Sequence, residues 1–269
     1  MPTERPTIRV AAAPGDWPDP WPNVAEIAAV IPAEQWTLVG GLMVQIHSIH
    51  HGLGVVRPTN DVDIVVHVET SRGVADETAI ALRSLGYKLR PTFDPRDNTA
   101  HRFVRGHSKV DLVTDHPGVD SGDAVEEVVD VLVADHHAPS VTQRLAGREM
   151  VRIEGGTQAL RRTVNAQLEI QEGALTTISV PRPLGALILK AAAYTTDSRD
   201  KDRHLNDAVA LLACIDDPFA DREEFTGSDR SRLLSLRRRL RPGDISWSVL
   251  SGQSRIDAEA ALEILTASD

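Results

Sequence analysis

Two aspartates with a single residue between them, Asp61 and Asp63, begin a stretch of the sequence that is rich in β-branched residues. Side chains two positions apart on a strand point to the same face, so these carboxylates would lie side by side. Neighbouring carboxylates repel each other unless a cation lies between them. A third acid, Asp111, stands between apolar residues of another predicted strand, where aspartate is disfavoured unless something compensates for it. Three carboxylates that converge from strands would form an oxygen-rich site suited to Mg²⁺.

A double glycine, Gly40-Gly41, lies between a predicted strand at 36–39 and a predicted helix at 42–50. Because glycine has no Cβ atom, phosphate oxygens can approach the backbone N–H groups there, and the helix dipole favours their charge. A pair of Mg²⁺ ions beside such a turn can activate an attacking oxygen and stabilise a leaving pyrophosphate. Each motif alone is common, and the order in which they occur is the more specific signal.

The elements that would position these residues change character along the chain. Helices are predicted at 23–31, with Asn23 as N-cap, and at 71–85, and strands at 61–68, 102–104 and 109–114. The acidic segment 120–135 is predicted to form a solvated helix or lid. From Pro183 onward the pattern is helical, with predicted helices at 184–194, 201–215, 228–240 and 256–266.

These patterns predict an α/β (α+β) core with a mixed sheet, followed by a mainly helical C-terminal part. We expect three units along the chain. A Pro-rich arm at 1–23 would be extended and held to the body by its tryptophans, the core would span 24–140, and a mainly helical domain would span 141–269.

Charge and hydropathy exclude several classes of protein. Lysine and arginine total 29 against 39 acidic residues, a net charge of −10, which disfavours a protein that coats DNA or a lipid surface. No apolar run is long enough to span a membrane, and no signal peptide is recognisable, so we expect a cytoplasmic protein. The arginines are clustered, however, and Arg237, Arg238 and Arg239 are candidates for RNA binding.

The order of Gly40-Gly41, Asp61-x-Asp63 and the later Asp111 resembles the nucleotidyltransferase superfamily with the DNA polymerase β-type fold. Further stretches resemble its AbiEii-type branch, which includes the MenT-like toxins of bacterial toxin–antitoxin pairs. They are Leu38 to Gly41, His51-Gly52, Arg57 to Asp63, His101-Arg102-Phe103, Lys190 in its apolar helix, Lys201-Asp202 and Asp207. Together these stretches extend over about residues 36–215.

The resemblance implies transfer of a nucleotide from an NTP to an acceptor, which in the MenT-like toxins is the 3′ end of tRNA. It also implies a cognate antitoxin as a possible partner. Carried over to this chain, the resemblance implies that Asp61, Asp63 and Asp111 bind two Mg²⁺ ions. Lys190 would contact the triphosphate, and Asp207 would complete the helical side of the catalytic site, with Asp202 as its competitor.

The phosphate-binding residues would be Gly40 and Gly41, which cradle the β- and γ-phosphates, together with Arg57, Thr59 and Lys190. Arg57 and Thr59 could equally support the loop, and Arg57 could form a structural ion pair with Asp61. The superfamily often has Gly-Ser where this chain has Gly-Gly, so the serine hydroxyl is missing here.

Two other functions are compatible with the same residues. The acceptor could be a small hydroxylated molecule such as an aminoglycoside, although the arginine segments favour RNA. The chain could also be a nucleotide-binding regulator without turnover.

Overall fold

The computed structural model describes residues 5–11, 17–54, 57–90, 99–106, 126–136, 144–197 and 201–268. The strands are β1 (Thr7–Arg9), β2 (Trp36–Leu38), β3 (Asp61–Val66), β4 (Lys88–Leu89), β5 (Thr99–Ala100), β6 (Arg102–Arg105), β7 (Glu127–Ala134), β8 (Arg144–Leu145), β9 (Arg148–Met150), β10 (Arg152–Ile153), β11 (Thr163–Gln171) and β12 (Ala174–Pro181). The helices are α1 (Trp21–Val30), α2 (Gly40–His50), α3 (Val74–Ser84), α4 (Gly156–Arg161), α5 (Pro183–Thr196), α6 (Lys201–Leu212), α7 (Pro218–Glu223), α8 (Asp229–Arg239) and α9 (Gly252–Thr266), with a 3₁₀ helix at Ile245–Val249. None of the helices within these ranges has the length and apolar character needed to cross a membrane.

The central sheet is mixed, as the sequence predicts, and has the order β2-β3-β7-β6-β4. β3 is antiparallel to β2 and parallel to β7, whereas β6 is antiparallel to both β7 and β4. β10 adds to the second half of β7 in the parallel direction. β7 thus contacts three other strands of the sheet.

The prediction of a solvated helix or lid at 120–135 is wrong for the described part of that segment, because Glu127–Ala134 is the strand β7. Val129, Val131 and Val133 alternate along it and are fully buried, so the apolar face of the strand outweighs its acidic composition. β6 pairs with this strand. The strand predicted at 109–114 lies outside the described residues.

The described part of the N-terminal arm belongs to the folded body, because it contributes a paired strand and the first residues of a helix. β1 pairs in parallel with β11, whose other neighbour is β12, in a separate three-stranded sheet. Trp21 is buried against Trp17, with ring centroids 4.8 Å apart. The predicted N-cap is wrong, because α1 begins at Trp21 and the Asn23 side chain instead donates a buried hydrogen bond to Tyr87 Oη at 2.9 Å.

The C-terminal half begins with strands rather than helices. β8 to β12 lie between Arg144 and Pro181, in the segment that the sequence analysis placed in a mainly helical domain. From Pro183 on, the described chain is helical, and the four predicted helices correspond to α5, α6, α8 and α9. The division into three units stays a prediction.

Two apolar clusters hold these layers together. One is formed by the central sheet, α1, α3 and the β11–β12 hairpin, and the other by α5, α6, α8 and α9. α2 and β3 contribute to both: Leu42 and Ile64 belong to the first cluster, and Met43 and Val65 to the second. The helical layer therefore packs directly behind the double glycine and the Asp61-x-Asp63 strand.

A buried hydrogen-bond chain connects α1 to the loop that precedes β3. Trp21 Nε1 donates to Gln45 Oε1 at 3.0 Å, and Gln45 Nε2 donates to the backbone carbonyl of Arg57 at 2.9 Å. Gln45 lies within α2, so this one side chain sets the distance between two helices and the loop.

Replacing Gln45 by Met should leave the Trp21 indole donor unpaired in the core and lower the free energy of unfolding by about 1–3 kcal/mol. The exposed Gln171 at the end of β11 provides a matched control, and Gln171→Met should change it by less than about 0.5 kcal/mol. Urea denaturation of both variants measures the difference. Equal effects of the two substitutions would show that the buried hydrogen bonds contribute nothing.

Candidate metal centre and its cavity

Three aspartates converge on one face of the central sheet. In the parallel register of β3 and β7, Asp63 is the direct partner of Asp130, and Asp61 stands two positions earlier on the same face. One carboxylate oxygen of each lies within 4.8 Å of one from each of the other two. Val62, Ile64 and Val129 point into the core on the opposite face. The alternation of side chains along the two strands thus places all three acids on the face that lines the cavity.

Asp130 was missed by the sequence analysis, which chose Asp111 as the third acid. Asp111 lies outside the described residues, whereas Asp130 is only 6% exposed and adjoins Asp63. The signal that singled out Asp111, an aspartate between apolar residues of a strand, is equally present in Val129-Asp130-Val131. This signal was overlooked because the acidic composition of 120–135 led to the prediction of a solvated helix or lid.

The double glycine is required by close packing against these acids. Gly40 has φ +69°, and a Cβ atom there would lie 1.9 Å from Asp63 Oδ2. A Cβ atom on Gly41 would lie 2.9 Å from Thr59 Oγ1, which in turn donates to Asp61 Oδ1 at 2.8 Å. Val39 N also donates to the carbonyl of Asp63 at 2.9 Å. The N-terminus of α2 therefore lies directly against the acids, and Thr59 supports Asp61.

The acidic cluster is incompletely neutralised by the protein. Burial and the charges of Asp61 and Asp130 raise the pKa of Asp63 to about 7, although Lys190 and Arg203 oppose this shift. Arg102 binds Asp130 through two hydrogen bonds, of 2.9 and 2.7 Å. Three hard oxygen donors with unrelieved repulsion are the chemistry that fits a divalent cation such as Mg²⁺.

Asp207 joins the loop before β3 to the helical layer. It is fully buried and accepts from Arg57 Nε and Nη2 at 2.8 and 3.0 Å, and Lys190 Nζ lies 2.8 Å from its Oδ2. Burial by itself would raise the pKa of Asp207, but the two cations outweigh it and lower the pKa below its ordinary value. Arg57 thus pairs with Asp207 rather than Asp61. Asp202 is exposed and forms no part of this arrangement.

A cavity of about 590 Å³ lies between the acids and the helical layer. Its lining includes Gly40, Gly41, Arg57, Thr59, Asp61, Asp63, Asp130 and Lys190, and also polar residues that the sequence analysis did not select: Arg102, Arg152, Glu154, Asp197, Arg203 and His204. Asp197 accepts from Arg203 at 2.8 Å and pairs with His204 Nε2 at 3.0 Å. Lys190 is 5% exposed and lines this cavity, so it does not extend to the outer surface.

The three consecutive arginines lie away from the cavity lining, at the end of α8. Arg237 donates to Thr266 Oγ1 at 2.8 Å, and Arg239 forms an ion pair with Asp244 at 2.8 Å. Local structure thus engages two of the three side chains. Their contact with RNA stays a prediction.

The described fold and site define a mixed α/β protein with a three-aspartate cluster at the floor of a polar cavity. Searches against models of protein families and against curated proteins find no match for the chain. The functional argument therefore depends on the site itself.

The raised pKa of Asp63 predicts a pH-dependent affinity for Mg²⁺. Below pH 7 the metal must displace a proton from Asp63, so the affinity should be about tenfold lower at pH 6 than at pH 8. Without metal, the folded state holds this proton more tightly than the unfolded chain. The contribution of Asp63 to stability therefore falls as the pH rises from about 4 to 7. Calorimetric titration at both pH values measures the metal affinity.

Asp202→Asn, on the exposed side of α6, should leave this pH dependence intact, whereas Asp63→Asn should remove it together with most of the affinity. A metal affinity in the wild type that is the same at pH 6 and pH 8 would contradict the assignment.

Alanine at Gly40 should disrupt the site, because its Cβ atom would overlap Asp63 Oδ2. Gly52 provides the control: its φ of +71° matches the +69° of Gly40, but a Cβ atom there meets nothing within 4 Å. Both alanines should cost about 1 kcal/mol of backbone strain, and only Gly40→Ala should also weaken Mg²⁺ binding, by about 10–100-fold. Thermal unfolding and metal titration separate the two effects. Equal metal affinities would indicate that Asp63 can move without loss.

Proposed function

We propose that this protein is a metal-dependent nucleotidyltransferase, which moves a nucleotide from an NTP to an acceptor hydroxyl. The observation that carries the proposal is the cluster of Asp61, Asp63 and Asp130 beside a double glycine at a helix N-terminus. The cations Lys190 and Arg203 lie close enough to lower the pKa of Asp63, and they line the same cavity. This combination suits a magnesium-bound triphosphate, which carries both the cations and the anions that the site would pair.

The three aspartates would hold Mg²⁺, with oxygen ligands of the type that this ion prefers. When bound, Mg²⁺ ions polarise the reacting phosphate and stabilise the charge on both the attacking and the leaving oxygens. Arg102 would keep Asp130 in place through its two hydrogen bonds, and Thr59 would do the same for Asp61. These contacts fix the carboxylates before any substrate arrives, which reduces the cost of ordering the site.

The remaining cavity residues would act on the triphosphate. Backbone N–H groups at Gly40 and Gly41 lie at the positive end of the α2 dipole and would bind the β- and γ-phosphates. Lys190 and Arg203 would offset the charge that develops on pyrophosphate as the bond between the α- and β-phosphates breaks. Asp207 holds Lys190 and Arg57 in position from within the protein. We therefore propose that Asp207 acts through these two cations rather than on the substrate.

For the acceptor we propose the 3′ end of an RNA, with tRNA as the first candidate and the toxin of a toxin–antitoxin pair as the biological setting. The sequence resemblance supports this choice, as do the cavity arginines. A cytoplasmic location would supply both NTPs and tRNA. Transfer to a small hydroxylated molecule and nucleotide binding without turnover are the outcomes that the following experiment distinguishes.

The protein should transfer label from α-³²P-labelled NTPs into total RNA in the presence of Mg²⁺. Asp130→Asn should lower the rate by about a hundredfold or more, because it removes one of the groups that stabilise the transition state. The exposed Asp202→Asn is the matched control that should retain activity, and Asp111→Asn tests the third acid that the sequence analysis chose. Gel analysis of the RNA and chromatography of small-molecule products measure where the label goes.

Loss of activity in Asp111→Asn with retention in Asp130→Asn would reverse the choice of third acid. Label found only in small molecules would contradict an RNA acceptor. No incorporation from any NTP, together with tight NTP binding, would indicate a regulator without turnover.

A further inference from the structure

The two ends of the cavity lie against different strands of the central sheet. The Gly40-Gly41 turn follows β2 and lies against β3, whereas β6 and β10 lie on the other side of β7. Val131 N donates to the carbonyl of His101, next to β6, and Val133 N donates to the carbonyl of Val151, next to β10. N–H groups two residues apart on a strand point to the same edge, so β6 and β10 share the edge of β7 that faces away from β3.

Arg152 on β10 differs from the other cations of the cavity. Each of Arg57, Arg102, Lys190 and Arg203 is paired with an aspartate. The side chain of Arg152 is exposed, lines the cavity, and has no hydrogen bond or ion pair to any residue that the structure describes. A guanidinium that faces a cavity without a carboxylate partner is available for an anionic ligand.

In-line displacement sets where each substrate would lie. If the leaving pyrophosphate is bound at the Gly40-Gly41 end, the attacking hydroxyl must approach the α-phosphate from the opposite side. Along the sheet, that side is the one beyond Asp130, where Arg102 and Arg152 line the cavity. In that arrangement the acceptor would enter past the edge of β7 that pairs with β6 and β10.

We propose that Arg152 binds a backbone phosphate of a single-stranded RNA acceptor and so positions its terminal hydroxyl next to Asp130. The inference rests on the proposed function and assigns the acceptor side of the same cavity. Glu154, which is also exposed and lines this wall, would repel a second phosphate and limit the contact to one. Arg152 is thus a residue that selects a polyanionic acceptor over a cationic small molecule.

The test separates binding of the acceptor from binding of the nucleotide. Arg152→Ala should raise the KM for RNA by about tenfold to a hundredfold, the effect of losing one charged hydrogen bond, and leave the KM for NTP unchanged. Fluorescence anisotropy with a short labelled single-stranded RNA measures the same loss without turnover. The slope of log affinity against log salt should become shallower by about 0.7, the value for one phosphate contact to a single strand.

Two further variants control the result. Arg144→Ala removes an exposed arginine of strand β8 that does not line the cavity, and it should change neither constant. Glu154→Gln removes the nearby negative charge and should lower the KM for RNA. Thermal unfolding verifies that all three variants fold.

The outcomes distinguish failure of the inference about Arg152 from failure of the proposed function. A raised KM for NTP with unchanged RNA binding in Arg152→Ala would place Arg152 on the nucleotide side and overturn the inference. An unchanged KM for RNA together with an unchanged RNA affinity in Arg152→Ala would also overturn it. Absence of nucleotide transfer by the wild type would contradict the proposed function, whereas the anisotropy measurement would still report whether Arg152 binds RNA.

Discussion

Mutual repulsion between Asp61, Asp63 and Asp130 is the constraint around which the described structure is organised. The parallel register of β3 and β7 makes Asp63 and Asp130 direct neighbours, and two unit charges about 4 Å apart repel by about 4 kcal/mol at an effective dielectric constant near 20. Arg102, Lys190 and Arg203 reduce this repulsion without removing it, and the pKa of Asp63 still rises to about 7. If the cluster binds Mg²⁺ as proposed, its affinity for the metal would be coupled to the proton that Asp63 holds.

The ion pairs around this cluster also connect the layers of the fold. Asp207 on α6 binds Arg57 in the loop before β3 and Lys190 on α5, so one buried carboxylate fixes the position of three segments. A buried ion pair of this kind contributes little net stability, because desolvation opposes the attraction between the charges. Its effect is on position: it holds the Lys190 ammonium facing the cavity. The shared apolar contacts of α2 and β3 maintain the same arrangement from behind.

The net charge of −10 is distributed unevenly over this structure. Part of it is concentrated in the three aspartates, where bound cations would neutralise it. Cations surround the cluster, and Arg152 faces the cavity at the edge where an acceptor would enter. Under the proposed function, an acidic protein of this kind would not coat a nucleic acid but would bind one RNA end within the cavity.

Part of the site was predictable because its signals are local. The alternation of a strand places Asp61 and Asp63 on one face whatever the rest of the chain does, and a glycine suits the positive φ of the turn at Gly40. The helices from Pro183 on follow from their own periodicity, and their predicted positions are confirmed. These features depend on backbone geometry over a few residues.

The choice among distant partners was decided by tertiary structure. Asp111 and Asp130 have the same local pattern, and only the pairing of β7 with β3 shows that Asp130 adjoins Asp63. The ion pairs of Asp207, and the position of Arg152 in the cavity, require that separate helices and strands pack together. Sequence periodicity states which face of an element is apolar, but not which other element covers it. The sequence thus determined Asp61, Asp63 and the turn, whereas long-range packing determined the third acid and the partners of all three.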